Sequence, residues 1–199
     1  MSTVETERLI LRPFRESDAA DVLEYLSGPL PHCFADLKLD SLDEVRAEMV
    51  KRVEDTEYCF AIVLKETGRV IGEIDAEPST YEPPRLRSKK TAPLPPPDTF
   101  SPCWMLNAAY QGRGYAYEAA YAFFDYLFMR KGVRRIYAYV DDYNLRSQRL
   151  CEKMGLRQEG LFRKFVSFVS DAEWKPVYEN TLQYAILKQE WMAKRTSGK

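Results

Sequence analysis

The sequence predicts a protein of the mixed α/β (α+β) class, in which helices flank one sheet that contains both parallel and antiparallel strands. Residues 58 to 76 contain two strand-like runs joined at Glu66-Thr67-Gly68-Arg69, which is the chemistry of an antiparallel hairpin. Further along, a strand at about 100 to 107, a glycine turn, a helix over 115 to 131 and a strand at 135 to 141 form a βαβ unit. The two strands of such a unit run parallel, so the sheet must contain both pairings.

The remaining elements follow from hydrophobic periodicity and from residues that begin or end helices. "ERLILRPF" predicts a first strand, and the next helix carries capping candidates at Ser17 and Asp18 and stops at Gly28-Pro29. A second helix over 41 to 55 begins behind Ser41 as N-cap. A helix over 145 to 154 is closed by Gly155, and two strands at about 160 to 169 and 178 to 187 complete a sheet flanked by about four helices.

A proline-rich segment at about 78 to 102 interrupts this pattern. It holds eight of the twelve prolines and the basic run "RLRSKK", and proline at that density resists both helix and central strand. Hydrophobic periodicity resumes on both sides of it. We therefore predict a single domain over 1–199 with an exposed insertion, whose basic run is a solvated loop or a contact for an anionic cofactor or partner.

Composition excludes several classes of function. A net charge of −1 gives no general attraction to nucleic acid or acidic lipid, and the most apolar helical stretch is too short and too interrupted by acids to span a bilayer. The N-terminus lacks the features of a signal peptide, so we expect a cytoplasmic protein. The four cysteines are scattered and accompanied by one histidine, which predicts reduced thiols and no metal centre.

The glycine turn "YQGRGYA" predicts an anion site. The first N–H groups of a helix and its positive dipole end attract a phosphate, while Gly112 and Gly114 remove the Cβ atoms that would hold it away. Gln111 and Arg113 can add side-chain donors. The alternative is that both glycines serve helix packing.

Elimination narrows the ligand of this turn. No Lys-Ser/Thr follows the second glycine, which excludes a P-loop, and a dinucleotide fingerprint would need glycine at Tyr117. A diphosphate held without an obvious magnesium ligand points to coenzyme A. An enzyme that uses the turn for another nucleotide is the disfavoured alternative.

Two motifs resemble one family. Residues 111 to 116, Gln-Gly-Arg-Gly-Tyr-Ala, are similar to the Q/R-x-x-G-x-G/A loop of the GNAT superfamily of N-acetyltransferases. "NLRSQRLCEKMGLRQEG" at 144 to 160 resembles the signature of the branch that includes ribosomal-protein N-terminal (alanine and serine) acetyltransferases. The opening "ERLILRPFRESDA" and the closing "YAILKQEW" are also similar, so the resemblance spans nearly the whole chain outside the insertion.

The resemblance implies a splayed sheet and a set of residues that bind acetyl-CoA. The strands at about 100 to 107 and 135 to 141 would diverge to admit the pantetheine arm, which pairs like an added strand with the backbone of 104 to 106. Backbone amides of 112 to 116 would hold the diphosphate. Asn144 and Ser147 match positions that contact the arm, with helix capping as the alternative for Asn144. The predicted cofactor-binding residues are Trp104, Met105, Leu106, Gln111, Gly112, Arg113, Gly114, Tyr115, Ala116, Asn144 and Ser147.

The implied reaction moves an acetyl group from acetyl-CoA directly to a primary amine in a ternary complex. Many family members use a tyrosine seven residues after the asparagine as the acid for the thiolate, and Cys151 stands there. A buried thiol is a poor acid for a thiolate, so we expect water, Ser147 or no acid to fill the role. Base candidates are Glu73, Asp75 and His32.

The acceptor stays open between a protein N-terminus and a small-molecule amine, and Tyr143 and Tyr178 are candidates to line its pocket. A monomer or a homodimer is expected. A non-catalytic acyl-CoA-binding protein of the same fold is the alternative function, motivated by Cys151 and by the open choice of base.

Overall fold

The computed structural model describes residues 3–79 and 96–197, which form one eight-stranded mixed sheet with helices on both faces. The strands stand in the order β1-β2-β3-β4-β5-β6-β8-β7. Their bounds are β1 Val4–Glu5, β2 Leu9–Arg12, β3 Cys59–Leu64, β4 Val70–Pro78, β5 Thr99–Leu106, β6 Arg135–Asp141, β7 Arg157–Ser170 and β8 Pro176–Leu187. All neighbouring pairs are antiparallel except β5 and β6, so the predicted mixed sheet is confirmed.

The parallel pair β5/β6 is joined only at its start. Thr99 lies opposite Arg135 and Phe100 opposite Ile136, and the register ends there. Antiparallel pairing of β5 with β4 continues to Leu106, and that of β6 with β8 continues to Asp141. The two strands therefore separate toward their carboxyl ends, which opens a gap in the middle of the sheet.

One face of the sheet is covered by helices α3 (Tyr115–Asp125), α4 (Leu145–Met154) and α5 (Lys188–Ser197). Helix α3 continues into a π-helical turn over Tyr126–Arg130. The predicted single helix over 115 to 131 is thus one run with a change of winding near its end. Trp191 of α5 is fully buried against rings of this run, and its indole N–H donates to Asp125.

The opposite face is covered by α1 (Ala19–Leu26) and α2 (Leu42–Glu54). Ser41 accepts from the Glu44 amide while Glu44 accepts from the Ser41 amide, which is the predicted N-cap completed as a capping box. Asp18 precedes α1 but makes no side-chain cap to that helix. It is buried in a two-pronged ion pair with Arg12 instead.

The insertion is shorter than its sequence composition predicts. Pro78 pairs with Phe100 and Ala76 with Pro102, so both ends of the segment at 78 to 102 belong to antiparallel strands. Proline is compatible with a strand where its missing N–H faces away from the neighbour. The basic run at 85 to 90 lies outside the described residues. Over the ranges that are described, no helix is long and apolar enough to cross a membrane.

Candidate active site

The turn before α3 has the backbone conformation that its glycines predict. Gly112 has φ of 76° and Gly114 has φ of 84°, in the left-handed region that side chains with a Cβ disfavour. Gly114 is the N-cap of α3 and offers no side chain to the helix amides. The first N–H groups of α3 therefore emerge from bare backbone, which is the arrangement that an anionic diphosphate requires.

Arg8 holds this turn from the side of β2. Its guanidinium lies 4.5 Å from the centre of the Tyr115 ring, donates to the Arg113 carbonyl at 3.0 Å and pairs with Glu118 at 2.7 Å. Glu118 is in the first turn of α3, where its charge would compete with a bound anion. Burial acts to raise the pKa of Glu118, but hydrogen bonds from Thr6 and Arg8 outweigh it and keep the pKa below its usual value. The carboxylate is thus neutralised internally.

Gln111 is committed to structure rather than free for a ligand. Its side-chain amide donates to the Leu106 carbonyl at 3.0 Å and accepts from Arg146 at 2.6 Å. It therefore connects the turn to the end of β5 and to the start of α4. Arg113 lies over the Tyr110 ring at 5.8 Å. The side-chain donor predicted for Gln111 is used within the protein, and what remains at 111 to 116 is chiefly backbone.

A cavity of about 760 Å³ occupies the gap between β5 and β6. Ser101 to Trp104 line it from β5, and Tyr139 to Asp141 line it from β6. Other walls come from β4, from the loop after α1 and from the C-terminal half of α2. Of the residues predicted from sequence, Glu73, Asp75, Trp104, Asn144 and Ser147 line it.

Asn144 and Ser147 stand at the start of α4 on the cavity wall. The Asn144 side chain accepts from the Ser147 amide at 3.2 Å, so capping accounts for that oxygen. Ser147 lies one turn into the helix and lines the same cavity. Its hydroxyl is therefore placed to meet a group that enters between β5 and β6.

Glu73 is fixed in a buried network. It accepts from the Tyr25 hydroxyl at 2.8 Å and forms an ion pair with Arg52, and the Glu73 residue is 5% exposed. Releasing this carboxylate would break the buried ion pair and leave Arg52 with only Glu48, 3.5 Å from its Nε, at a large cost. Glu73 is therefore ill suited to exchange protons with an amine.

Asp75, two residues further along β4, is differently placed. Within the described chain no hydrogen bond or ion pair engages its carboxylate. Burial raises its pKa to about 7, and the charges of Glu73 and Glu77 act in the same direction. Of the two acidic candidates on β4, Asp75 has the unengaged carboxylate and the pKa suited to proton exchange at neutral pH.

His32 belongs to a cluster at the cavity's edge. Its Nδ1 is 2.6 Å from Glu179, which also accepts from the Tyr143 hydroxyl at 3.1 Å. The His32 and Tyr143 rings meet edge to face, with centroids 5.8 Å apart. None of His32, Tyr143 and Tyr178 lines the cavity, although the neighbouring Cys33 does. The cluster ties the loop after α1 to β8.

Cys151 lies away from the cavity. It is fully buried in the core beneath α4, and burial raises its pKa to about 12. A thiol in that position can reach no ligand in the gap. Three other thiols, those of Cys33, Cys59 and Cys103, do line the cavity, and burial raises the pKa of each. They are accordingly protonated at neutral pH.

Thr181 and Asp141 are cavity residues that sequence reasoning missed. They face each other across the β6/β8 pair, and both are at least 95% buried. Among residues 3–79 and 96–197 the Thr181 hydroxyl has no hydrogen-bond partner. The sequence signal was weak, because each residue reads as one polar position at the end of an apolar strand.

No group of three or more His, Cys, Asp or Glu side chains that could hold a metal occurs in residues 3–79 and 96–197. The bare turn and the gap in the sheet together suit a ligand with an anionic diphosphate and a long arm. The turn supplies amides for the first, and β5 beyond Phe100 is open on its β6 side for the second.

Comparisons with known proteins agree with this geometry. The sequence profile of the acetyltransferase (GNAT) domain matches residues 8–157. YnaD, an uncharacterised N-acetyltransferase of Bacillus subtilis strain 168, is 29% identical over 188 residues, which cover 94% of this chain and 98% of that protein.

Solved structures extend the likeness to the fold. An acetyltransferase of the GNAT family from Bacillus anthracis superposes with a TM-score of 0.75 at 26% identity, covering 94% of this chain and 99% of that one. Ribosomal-protein-S5-alanine acetyltransferase from Vibrio fischeri gives a TM-score of 0.68 at 18% identity, covering 96% and 99%. At that lower identity the likeness concerns the fold alone.

Proposed function

Because the chain belongs to the GNAT family and is an N-acetyltransferase, we propose that it transfers the acetyl group of acetyl-CoA directly to a primary amine bound in the cavity between β5 and β6. The observation that carries the proposal is one continuous arrangement. The bare glycine turn stands at the helix N-terminus, the sheet opens beside it, and Asp75 lies unengaged in the cavity that fills the opening.

The cofactor-binding residues are assigned as follows. Backbone amides of residues 112 to 116 bind the diphosphate, and Arg8 supports them from behind by holding the Arg113 carbonyl and neutralising Glu118. The open edge of β5 from Ser101 to Met105 pairs with the pantetheine arm. Leu106 contributes less backbone than the sequence predicts, because Gln111 already donates to its carbonyl. The Ser147 hydroxyl and the NH2 group of the Asn144 side chain lie beside the thioester end of the arm.

Bound acetyl-CoA supplies an acetyl thioester. The amine nitrogen donates its lone pair to the thioester carbonyl carbon, the carbon–sulfur bond breaks, sulfur leaves with that electron pair, and nitrogen loses one proton. Asp75 accepts the proton, directly or through water, because its carboxylate is unengaged and its pKa of about 7 matches the task. Glu73 stays bound to Tyr25 and Arg52 and takes no part in the proton transfer.

Cys151 is left out of the reaction. It is sealed in the core, so the departing sulfur is protonated by water or by the Ser147 hydroxyl, the polar group of α4 that lines the cavity along with Asn144. We therefore expect Cys151→Ala to change turnover by no more than about threefold. If Cys151 were the general acid, the same substitution would lower turnover about 100-fold.

The test is a coupled measurement of free thiol release from acetyl-CoA and of acetylated product by mass spectrometry, with a panel of primary amines. We expect stoichiometric thiol and acetyl-amine, with Asp75→Asn slower by about 100-fold. Glu66→Gln, in the exposed turn between β3 and β4, is the matched control and retains wild-type turnover. Acetyl-CoA binding without thiol release for any amine would instead favour the non-catalytic acyl-CoA-binding alternative.

A further inference from the structure

We infer that the acceptor is an aliphatic di- or polyamine, a primary amine that carries a second positive charge, recognised by carboxylates that have no ion-pair partner among the described residues and by the Thr181 hydroxyl. This inference rests on the proposed function, since it names the substrate class of the same cavity.

The charge of the cavity wall is the first observation. Seven carboxylates and two cationic side chains line it. Both cations are already in ion pairs, because Arg52 pairs with Glu73 and Lys51 pairs with Glu48 at 3.3 Å. Five carboxylates then have no ion-pair partner among residues 3–79 and 96–197, namely Asp36, Asp55, Asp75, Glu77 and Asp141. A neutral or anionic acceptor would leave these five carboxylates without a counter-charge from the described residues.

The position of these carboxylates suggests two separate roles. Asp75 and Asp141 lie within the cavity, whereas Asp36, Asp55 and Glu77 are exposed at its rim. Burial and the charge of Glu179 raise the pKa of Asp141, so an interior cation would be favoured there because it restores the ionised form. One ammonium can thus lie at the reacting end while a second meets the rim.

Thr181 supplies an independent observation. Its hydroxyl is buried on the cavity wall, its residue is 3% exposed, and no described residue hydrogen-bonds to it. Buried hydroxyls are nearly always hydrogen-bonded, so this atom calls for a group delivered from the cavity. Asp141 lies opposite it across the strand pair. An acceptor oxygen beside a carboxylate suits an N–H donor that carries positive charge.

The decisive experiment compares three acceptors that share one reacting end. 1,4-Diaminobutane, 1-aminobutane and 4-aminobutanoate carry a positive, a neutral and a negative group at the far end. We expect kcat/KM to fall in that order, by about tenfold at each step at low salt, with the first step shrinking as ionic strength rises. Equal values for the diamine and the monoamine, or a preference for 4-aminobutanoate, would overturn the inference.

Variants locate the effect. Asp36→Asn combined with Glu77→Gln should reduce the diamine-to-monoamine ratio about tenfold, while Glu66→Gln in the hairpin turn keeps that ratio. Thr181→Val should raise KM for the diamine about fivefold without lowering Tm, because an unpaired buried hydroxyl contributes nothing to stability. A lower Tm with unchanged KM would show that Thr181 serves the fold rather than the acceptor.

If amines are acetylated without regard to the distant charge, the inference on the acceptor is wrong and the proposed acetyl transfer stands. If no amine releases thiol from acetyl-CoA, although acetyl-CoA binds, the proposed function is itself wrong.

Discussion

Asp75 and Glu73 are two residues apart on β4, yet their surroundings set them to different tasks. Glu73 accepts from Tyr25 and pairs with Arg52, and the three side chains form one buried network. Asp75 meets neither partner, and burial leaves it with a pKa of about 7. The pair illustrates how hydrogen-bond partners, rather than residue type, decide which carboxylate can move a proton.

The first prediction concerns the pH dependence of activity. Asp75 accepts a proton only when ionised, so log kcat should rise with slope near one below pH 7 and level off above it. Asp75→Asn removes that inflection and keeps only the dependence that belongs to the amine. The measurement is kcat against pH from 5.5 to 9 with saturating acceptor. An unchanged inflection in the variant would assign it to another group.

The same residue predicts a dependence of stability on pH. Its pKa is raised on folding, so between about pH 4 and pH 7 the native state binds more protons than the unfolded state, and ionising Asp75 lowers the free energy of unfolding as pH rises. Asp75→Asn should therefore be more stable than wild type at pH 8, by at least about 1 kcal/mol, and gain less at pH 5. Urea denaturation at both pH values measures it, and an equal gain at both would contradict it.

The buried network of Tyr25, Arg52 and Glu73 should contribute strongly to stability. Arg52→Leu leaves the Glu73 carboxylate buried with only the Tyr25 hydroxyl, and should lower the free energy of unfolding by about 3–5 kcal/mol. Arg46→Leu, on the exposed side of the same helix α2, is the control and should change stability by less than about 1 kcal/mol. Similar losses for both variants would show that the Arg52–Glu73 pair has no special weight.

At the scale of elements, the turn before α3 and the support that Arg8 gives it act as one unit. Arg8→Gln removes the ion pair with Glu118 and so releases a carboxylate near the proposed diphosphate site. We expect KM for acetyl-CoA to rise about tenfold while kcat changes little, because the loss concerns an anion distant from the reacting carbonyl. Arg134→Gln, an exposed ion pair at the start of β6, is the control. A fall in kcat with KM unchanged would contradict this role.

Helix ends and the glycine turn were the features best predicted from the sequence. Ser41, Gly155 and the Gly112/Gly114 pair carry local signals, and each stands where the sequence predicts it. Signals that depend on the partner across the sheet were weaker. Nothing local shows that Gln111 is tied to Leu106 or that Thr181 faces Asp141. Prolines at 78 and 102 suggested a loop, although pairing in the folded sheet accommodates both.

At the scale of the whole molecule, the gap between β5 and β6 brings distant parts of the chain to one cavity. Residues from the loop after α1, from α2, β4, β5 and β6, from the start of α4 and from β7 and β8 share its walls. Such a site is formed only by the complete fold. A ligand bound there stabilises the native state as a whole and should raise Tm by an amount that grows with the logarithm of its concentration relative to Kd.

A thermal-shift titration tests the diphosphate site at 112 to 116. It uses acetyl-CoA and free CoA, alongside ATP and NAD, on wild type, Gly114→Glu and Gly132→Glu. Gly132 also has positive φ, 73°, and lies at the opposite end of the α3 run, so it controls for backbone strain. We expect both CoA species to stabilise wild type and the Gly132 variant by several degrees and neither to stabilise the Gly114 variant. ATP and NAD should give no comparable shift. Equal stabilisation of the two variants, or none in wild type, would contradict a diphosphate site at 112 to 116 and the acetyl transfer built on it.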